Sequence, residues 1–214
     1  MGASRVPIAH RMRRIGGGMN DAKKERHMND PHHTALKQSL KDMIGIEYEI
    51  SKEFSIQISN EEVKRHAPLH ALLTRAVSES EDRIADLKVL LDQEGGSFAA
   101  SMKGGLVTVT GTFAGLFAKI HEPPLSGLVR DNLIALNYAA IGYAMMLTHG
   151  LSTGHHGCTL FASSAIEEIP PLIVPLTDLL PLLVGEELAQ TAPLTNPAAV
   201  QIAGEMIRDA WRIT

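Results

Sequence analysis

The chain is short of several things, and each shortage excludes something. It has one cysteine, Cys158, so no internal disulfide framework can hold it. That usage suits a reducing compartment, and a cytoplasmic location is expected. Aromatic residues make up only 4% of the chain. A core must therefore rest on Leu, Ile, Val, Ala and nine Met, which favours helices over a β-sandwich. Positive charge is not in excess: a net charge of −4 leaves no general nucleic-acid footprint. Residues 1–30 lack the continuous apolar stretch of a secretory signal. The opening MGASRV has Val6 where a myristoylation pattern wants Ser or Thr. No P-loop or dinucleotide fingerprint occurs, because the Gly-Gly pairs lie outside any strand-to-helix turn.

What is present suits one domain with extra segments. A chain of 214 residues can bury a full core. Charge is unevenly placed. Residues 1–30 carry seven Lys/Arg and three acids, whereas residues 31–214 carry thirteen and twenty-one. Three parts are expected: a disordered basic tail over 1–30, a helical bundle over 31–190, and a C-terminal helix over 191–214 packed on the bundle. The tail contains Gly16, Gly17 and Gly18 and has no hydrophobic period, so it reads as a solvated segment.

Apolar residues then recur at helical spacing. A first helix is expected from Pro31 to Ser59, capped by Asp30, with the stripe Leu36, Leu40, Met43, Ile50, Phe54 and Ile58. Glu47 occupies the missing place in that stripe, so a carboxylate is expected on the buried face. Its simplest role is to pair with Arg, Lys or Tyr from a neighbouring helix. A second helix is expected from Asn60 to Glu94, kinked or restarted at Pro68 and stopped by Gly95 and Gly96. Leu69, Leu73, Val77, Ile84, Leu87 and Leu91 form its stripe, with Ser80 and Glu81 in the polar gap.

Residues 97–125 form a long connection whose segment LVTVTGTFAGLFAKI is read as a crossover helix. A third helix is expected over 125–151, with Leu133, Leu136, Ala140, Ile141, Ala144, Met145 and Leu147. It is apolar nearly all round and should be central. After the loop STGHHGC, a fourth helix should start near Thr159 and run through Glu167 and Glu168 to Pro170. The apolar continuation LIVPLTDLLPLLV reads as broken by Pro175 and Pro181. It is too short to span a membrane and contains Asp178. A last helix follows Asn196 and Pro197, with Val200, Ala203, Ile207 and Ala210 on one side.

Two long helices, a long crossover and two more helices are the ferritin-like order. The expected fold class is thus all-α: a ferritin-like four-helix bundle with a long crossover connection and an additional C-terminal helix. Residues 36–180 resemble a family of bacterial ferritin-like proteins linked to stress responses. The resemblance lies in ALKQSLKDMIGIEYEI, IADLKVLLDQEGGS, the small-residue crossover and NYAAIGYAMML. In such families the third helix carries a Glu-His-x-Glu cluster. The matching positions are Ile141, Gly142 and Ala144, none of which can coordinate a metal. The Glu-x-x-His of the second helix would fall on Ser78 and Glu81.

The resemblance therefore implies the fold without its ligands. No catalytic, cofactor-binding or metal-binding residue is assigned, and no cofactor is expected. The expected function is a non-catalytic, stress-associated structural or interaction module that works as a dimer through its apolar helices, without nucleic acid or a transmembrane segment. A di-iron or di-manganese oxidase or peroxide-handling enzyme would instead need a site from Glu47, Glu81 and Glu167. A lipid-surface module would use the basic tail and the apolar segments 98–118 and 169–184. His149, His155, His156 and Cys158 match no common zinc spacing, and a helix-connecting loop is the simpler reading.

Overall fold

The structure, a computed structural model, describes residues 31–97 and 124–211. The described residues form seven α-helices and no strand: α1 (Pro31–Ile58), α2 (Glu61–Arg65), α3 (Ala67–Gln93), α4 (Leu125–Thr153), α5 (His156–Glu168), α6 (Pro170–Thr191) and α7 (Ala199–Trp211). The tail over 1–30 and most of the expected crossover helix, 98–123, lie outside the described residues.

Boundaries follow the capping chemistry. Asn60 caps α2, its Oδ1 accepting from the Glu62 amide at 2.7 Å. Of the two outcomes expected at Pro68, a kink or a restart, the chain takes the restart. Proline has no N–H to donate, so it sits in the first turn of α3, and His66 Nδ1 caps that turn from the Leu69 amide at 3.2 Å. Gly95 and Gly154, with φ of 67° and 70°, take the left-handed conformation that ends α3 and α4.

Two expectations at the C-terminal half need correction. The fourth helix begins at His156 rather than near Thr159, because His155 caps it: Nδ1 accepts from the Cys158 amide at 3.1 Å. The proline-rich continuation is unbroken, and α6 runs through both Pro175 and Pro181. Each internal proline costs about 3 kcal/mol. Burial of Leu172, Ile173, Leu176 and Leu183 along one face of α6 offsets that cost.

Side-chain pairings set the directions of the helices. His33 meets Glu94 and Glu47 meets Arg83, so α1 and α3 are antiparallel. Gln57 meets Asn132 and Glu47 meets Tyr143, so α1 and α4 are also antiparallel. It follows that α3 and α4 run parallel, and the chain ends that flank residues 98–123 lie at opposite ends of the array. In turn α5 is antiparallel to α3, with His155 beside Glu94 and Glu168 near Arg83. Ser126 meets Glu187, placing the end of α6 beside the start of α4. The helices α1, α3, α4 and the α5–α6 rod thus lie side by side around one core. The short α7 packs on α6, where Gly185 is buried beneath Val200 and a Cβ would collide with Cγ2 of that valine.

The expected stripes of α1 and α3 hold. Leu36, Leu40, Met43, Ile50, Phe54, Leu69, Leu73, Ile84, Leu87 and Leu91 are all buried, and Ile58 and Val77 pack at the edge. The helix α4, expected to be apolar nearly all round and central, is covered on one side only. Of Leu133, Leu136, Ala140, Ile141, Ala144, Met145 and Leu147 only Leu136 is buried, while Ala144 is exposed and Ile141 and Met145 are among the most exposed apolar residues. Buried instead are Val129, Asn132, Ala135, Ala139, Tyr143 and Met146. A helix that is apolar on two sides carries no periodic signal to fix its phase. The polar groups of Asn132 and Tyr143 do so, by finding partners on α1. Among the described residues no helix is long and apolar enough to cross a membrane.

Candidate functional site

The apolar periodicity of α1 carries Glu47 into the core, where its exposure is 0%. Two helices supply its partners. From α3, Arg83 donates Nε to Oε1 at 2.8 Å and Nη2 to Oε2 at 3.1 Å. Ser80, one turn earlier, places its hydroxyl 2.5 Å from Oε2 and 2.8 Å from the Glu47 main-chain carbonyl oxygen. From α4, the Tyr143 hydroxyl donates to Oε1 at 2.6 Å. A carboxylate offers about four acceptor sites. With the single Ser80 proton on the closer acceptor, Oε2, all are used, and each oxygen of Glu47 accepts twice. The Tyr143 ring is itself held edge-on by Phe161 of α5, with centroids 5.8 Å apart.

Arg83 is the cation at the centre of this group, and only 3% of it is exposed. Its Nη1 lies 3.6 Å from Oε2 of Glu168 on α5 and 4.0 Å from Oε2 of Glu79 on α3. Neither approach is a hydrogen bond. Burial alone would lower the Arg83 pKa, but the Glu47 carboxylate more than reverses that, and the guanidinium is held above its ordinary value. Tyr143 is pushed well above its ordinary 10, first by burial and then by Glu47. Asp86, one turn along α3, is raised by burial and by Asp82 and Glu168.

A second polar cluster joins three helix ends. Glu94, after α3, receives His155 Nε2 at 2.7 Å on one oxygen and His33 Nε2 at 2.6 Å on the other. Because His155 Nδ1 accepts the Cys158 amide, the ring proton of the neutral form sits on Nε2 and points at Glu94. The same nitrogen is then unsuited to bind a metal ion.

The residues singled out in the sequence fare unequally. Glu47 is buried and paired with Arg and Tyr, as its place in the stripe implied. Glu81 and Glu167 do not join it; both are exposed, on the outer sides of α3 and α5. Ser78 is exposed as well. His149, His155, His156 and Cys158 do not converge: His156 is exposed, Cys158 is buried and His155 caps α5. Among the described residues, no group of three or more His, Cys, Asp or Glu is placed to hold a metal ion.

Sequence reasoning missed Arg83, Tyr143 and Glu168. The signal for Arg83 was present, since it follows Ser80 by three residues and precedes Leu87 by four, on the core face of α3. Next to Ile84 it reads as an edge residue.

Comparison of the chain with known protein families, with curated proteins and with solved structures gives no match.

Proposed function

We propose that this chain is a ferritin-like four-helix-bundle protein in which an internal ion pair occupies the place of a metal centre. It serves as a structural or interaction module, stress-associated as the sequence resemblance implies, and not as an oxidase. One observation carries the reading. Carboxylates from α1, α3 and α5 (Glu47, Glu79 and Glu168) surround a single buried cation, and that cation is the Arg83 guanidinium. A bundle that holds two divalent ions also places carboxylates from several helices around buried positive charge. The parallel course of α3 and α4 suits the same layout, since it requires a long crossover.

The donors present do not fit a bridged metal pair. The acceptor sites of Glu47 are filled by Arg83, Tyr143 and Ser80. An incoming ion would have to displace a guanidinium bonded at two points, and no imidazole lies in the group to replace it. The exposed positions of Glu81 and Glu167 weigh against the enzyme that would use them with Glu47. The cytoplasmic placement rests on the single cysteine.

The test is to expose purified protein to Fe(II) or Mn(II), desalt it and quantify retained metal. No stoichiometric retention is expected, and no ferroxidase or catalase activity. Two ions per chain, lost in Glu47→Ala, would overturn the reading.

A further inference from the structure

Helix α7 is held differently from the other described helices. Each of the others sends at least one residue into the interior, whereas none of residues 199–210 is buried. Of those residues only Val200, Ala203, Gly204 and Ile207 are half-covered. Two apolar contacts seat the helix. Val200 rests on Gly185 of α6, and Ile207 borders an apolar groove of about 610 Å³, shared with Leu133 and Tyr138 of α4 and Leu180 of α6. Its charged groups add little. Arg208 Nη1 stands 3.9 Å from Asp178 Oδ1, and Arg208 and Asp209 are both exposed, where solvent screens such pairs.

Helix α6 keeps its place without α7. Leu172, Ile173, Leu176 and Leu183 anchor it in the core, and Glu187 near its end accepts from the Ser126 amide of α4 at 2.8 Å. The reverse does not hold, because α7 depends on α6. Its 13 residues are too few for a stable helix alone in water, and Gly204 in its interior weakens it further. Local opening is easiest where the least apolar surface is given up. Lifting α7 releases a few half-covered side chains, whereas lifting α1 would expose its whole buried stripe.

We infer that α7 is a strap: it unlatches from α6 and loses its own helix while α1 and α3 to α6 stay folded, and it thereby opens and closes the groove between α4, α6 and α7. The latch is the seat of Val200 on Gly185. A Cβ added at Gly185 would approach Cγ2 of Val200 far inside van der Waals contact, so this one position sets whether the strap can close. A Cβ added at Gly204 meets only Arg208 Nη2, at 3.8 Å, and leaves the strap free to close.

The experiment is hydrogen exchange of the full chain, read by mass spectrometry in low urea. Amides of α7 should exchange through their own opening, at least about a hundredfold faster than the buried stretches of α1 and α3, and with weak dependence on urea because little surface is exposed. The same kind of substitution at two glycines should then act in opposite directions. Gly185→Ala should speed exchange of α7 about tenfold or more and leave α1 and α3 unchanged. Gly204→Ala should slow it about two- to five-fold. Access to the groove is read by alkylation of Leu180→Cys, since Cys158 is buried. Its labelling should be faster when Gly185→Ala is added. Exchange of α7 in step with α1 and α3 would overturn the strap, by making α7 part of one cooperative unit. Loss of protection throughout the bundle in Gly185→Ala would overturn it in the same way. Labelling of Leu180→Cys that ignores Gly185→Ala would overturn the control of the groove.

Discussion

Arg83 grips Glu47 at both carboxylate oxygens, Nε to Oε1 at 2.8 Å and Nη2 to Oε2 at 3.1 Å, between two helices that seal the pair from water. Removing one member leaves the other charged, buried and without its main counter-ion. Glu47→Ala or Arg83→Met should therefore cost about 3–5 kcal/mol. Replacing both with apolar residues, Glu47→Leu with Arg83→Met, should recover most of that loss. Urea unfolding of the two single variants and the double variant checks this. Strict additivity of the two losses would mean that the pair does not act as a unit.

Tyr143 makes a prediction at alkaline pH. Burial, then the Glu47 charge, push its pKa well above 10 in the folded chain, while the unfolded value is ordinary. Its contribution is therefore fully present below pH 10 and is lost as pH rises through the folded value. In an absorbance titration the Tyr143 phenolate should appear only with unfolding, and Tyr143→Phe should remove that late step. A phenolate assignable to Tyr143 in the folded chain near pH 10 would contradict its burial.

Glu94 clasps the start of α1 and the start of α5 at once, and its strength should depend on pH at both ends. Its pKa is lowered, first by the hydrogen bond from His155 and further by the charges of His155 and His33. That stability is present above the ordinary value of 4.5 and is lost as pH falls through the lower folded value. His155 is pushed up to about 10, by Cys158 and then by Glu94. Its share is complete below 6.5 and is lost as pH rises towards 10. The cap works the other way, since a protonated Nδ1 cannot accept the Cys158 amide, and this moderates the rise. Melting temperature should be highest between these limits, and Glu94→Gln should flatten the profile on both sides. An unchanged profile in that variant would show that the clasp carries no stability.

The phase of α4 is checked by a pair of substitutions. Ala144 faces water, so Ala144→Glu should shift stability by no more than about 0.5 kcal/mol. Ala139 is fully buried, and Ala139→Glu should unfold the chain or force the acid to stay protonated. A thermal melt of each is enough. The opposite ranking would put the wrong face of α4 inside.

These substitutions mark where the sequence was legible and where it was not. The stripes of α1 and α3 could be read because polar residues separate them from solvent. The break in α1's stripe pointed directly to Glu47. In α4 the apolar residues lie on two opposite faces, so periodicity alone gave no phase, and Tyr143 was lost with it. Glu168 was passed over for a different reason. Glu167 and Glu168 are adjacent, and only packing against α3 decides that Glu168 approaches Arg83 while Glu167 faces out. Pro175 and Pro181 looked like helix breakers because local preference was weighed without the apolar burial that overrides it. The ion pair was half visible: the acid lay in a clear stripe, but its arginine stood beside an isoleucine with an equal claim to the core.

The parallel course of α3 and α4 has a kinetic consequence. The antiparallel pair α1–α3 and the antiparallel pair α4–α5 each close through short connections, so each can zip up early and independently. Bringing the two hairpins together closes a far longer loop, and that step is entropically slow. The Tyr143–Glu47 bond is made only once the hairpins have docked. Tyr143→Phe should accordingly leave the folding rate almost unchanged and speed unfolding, as stopped-flow fluorescence or circular dichroism would register. The buried hydroxyl then acts as a latch that slows the escape of one hairpin from the other.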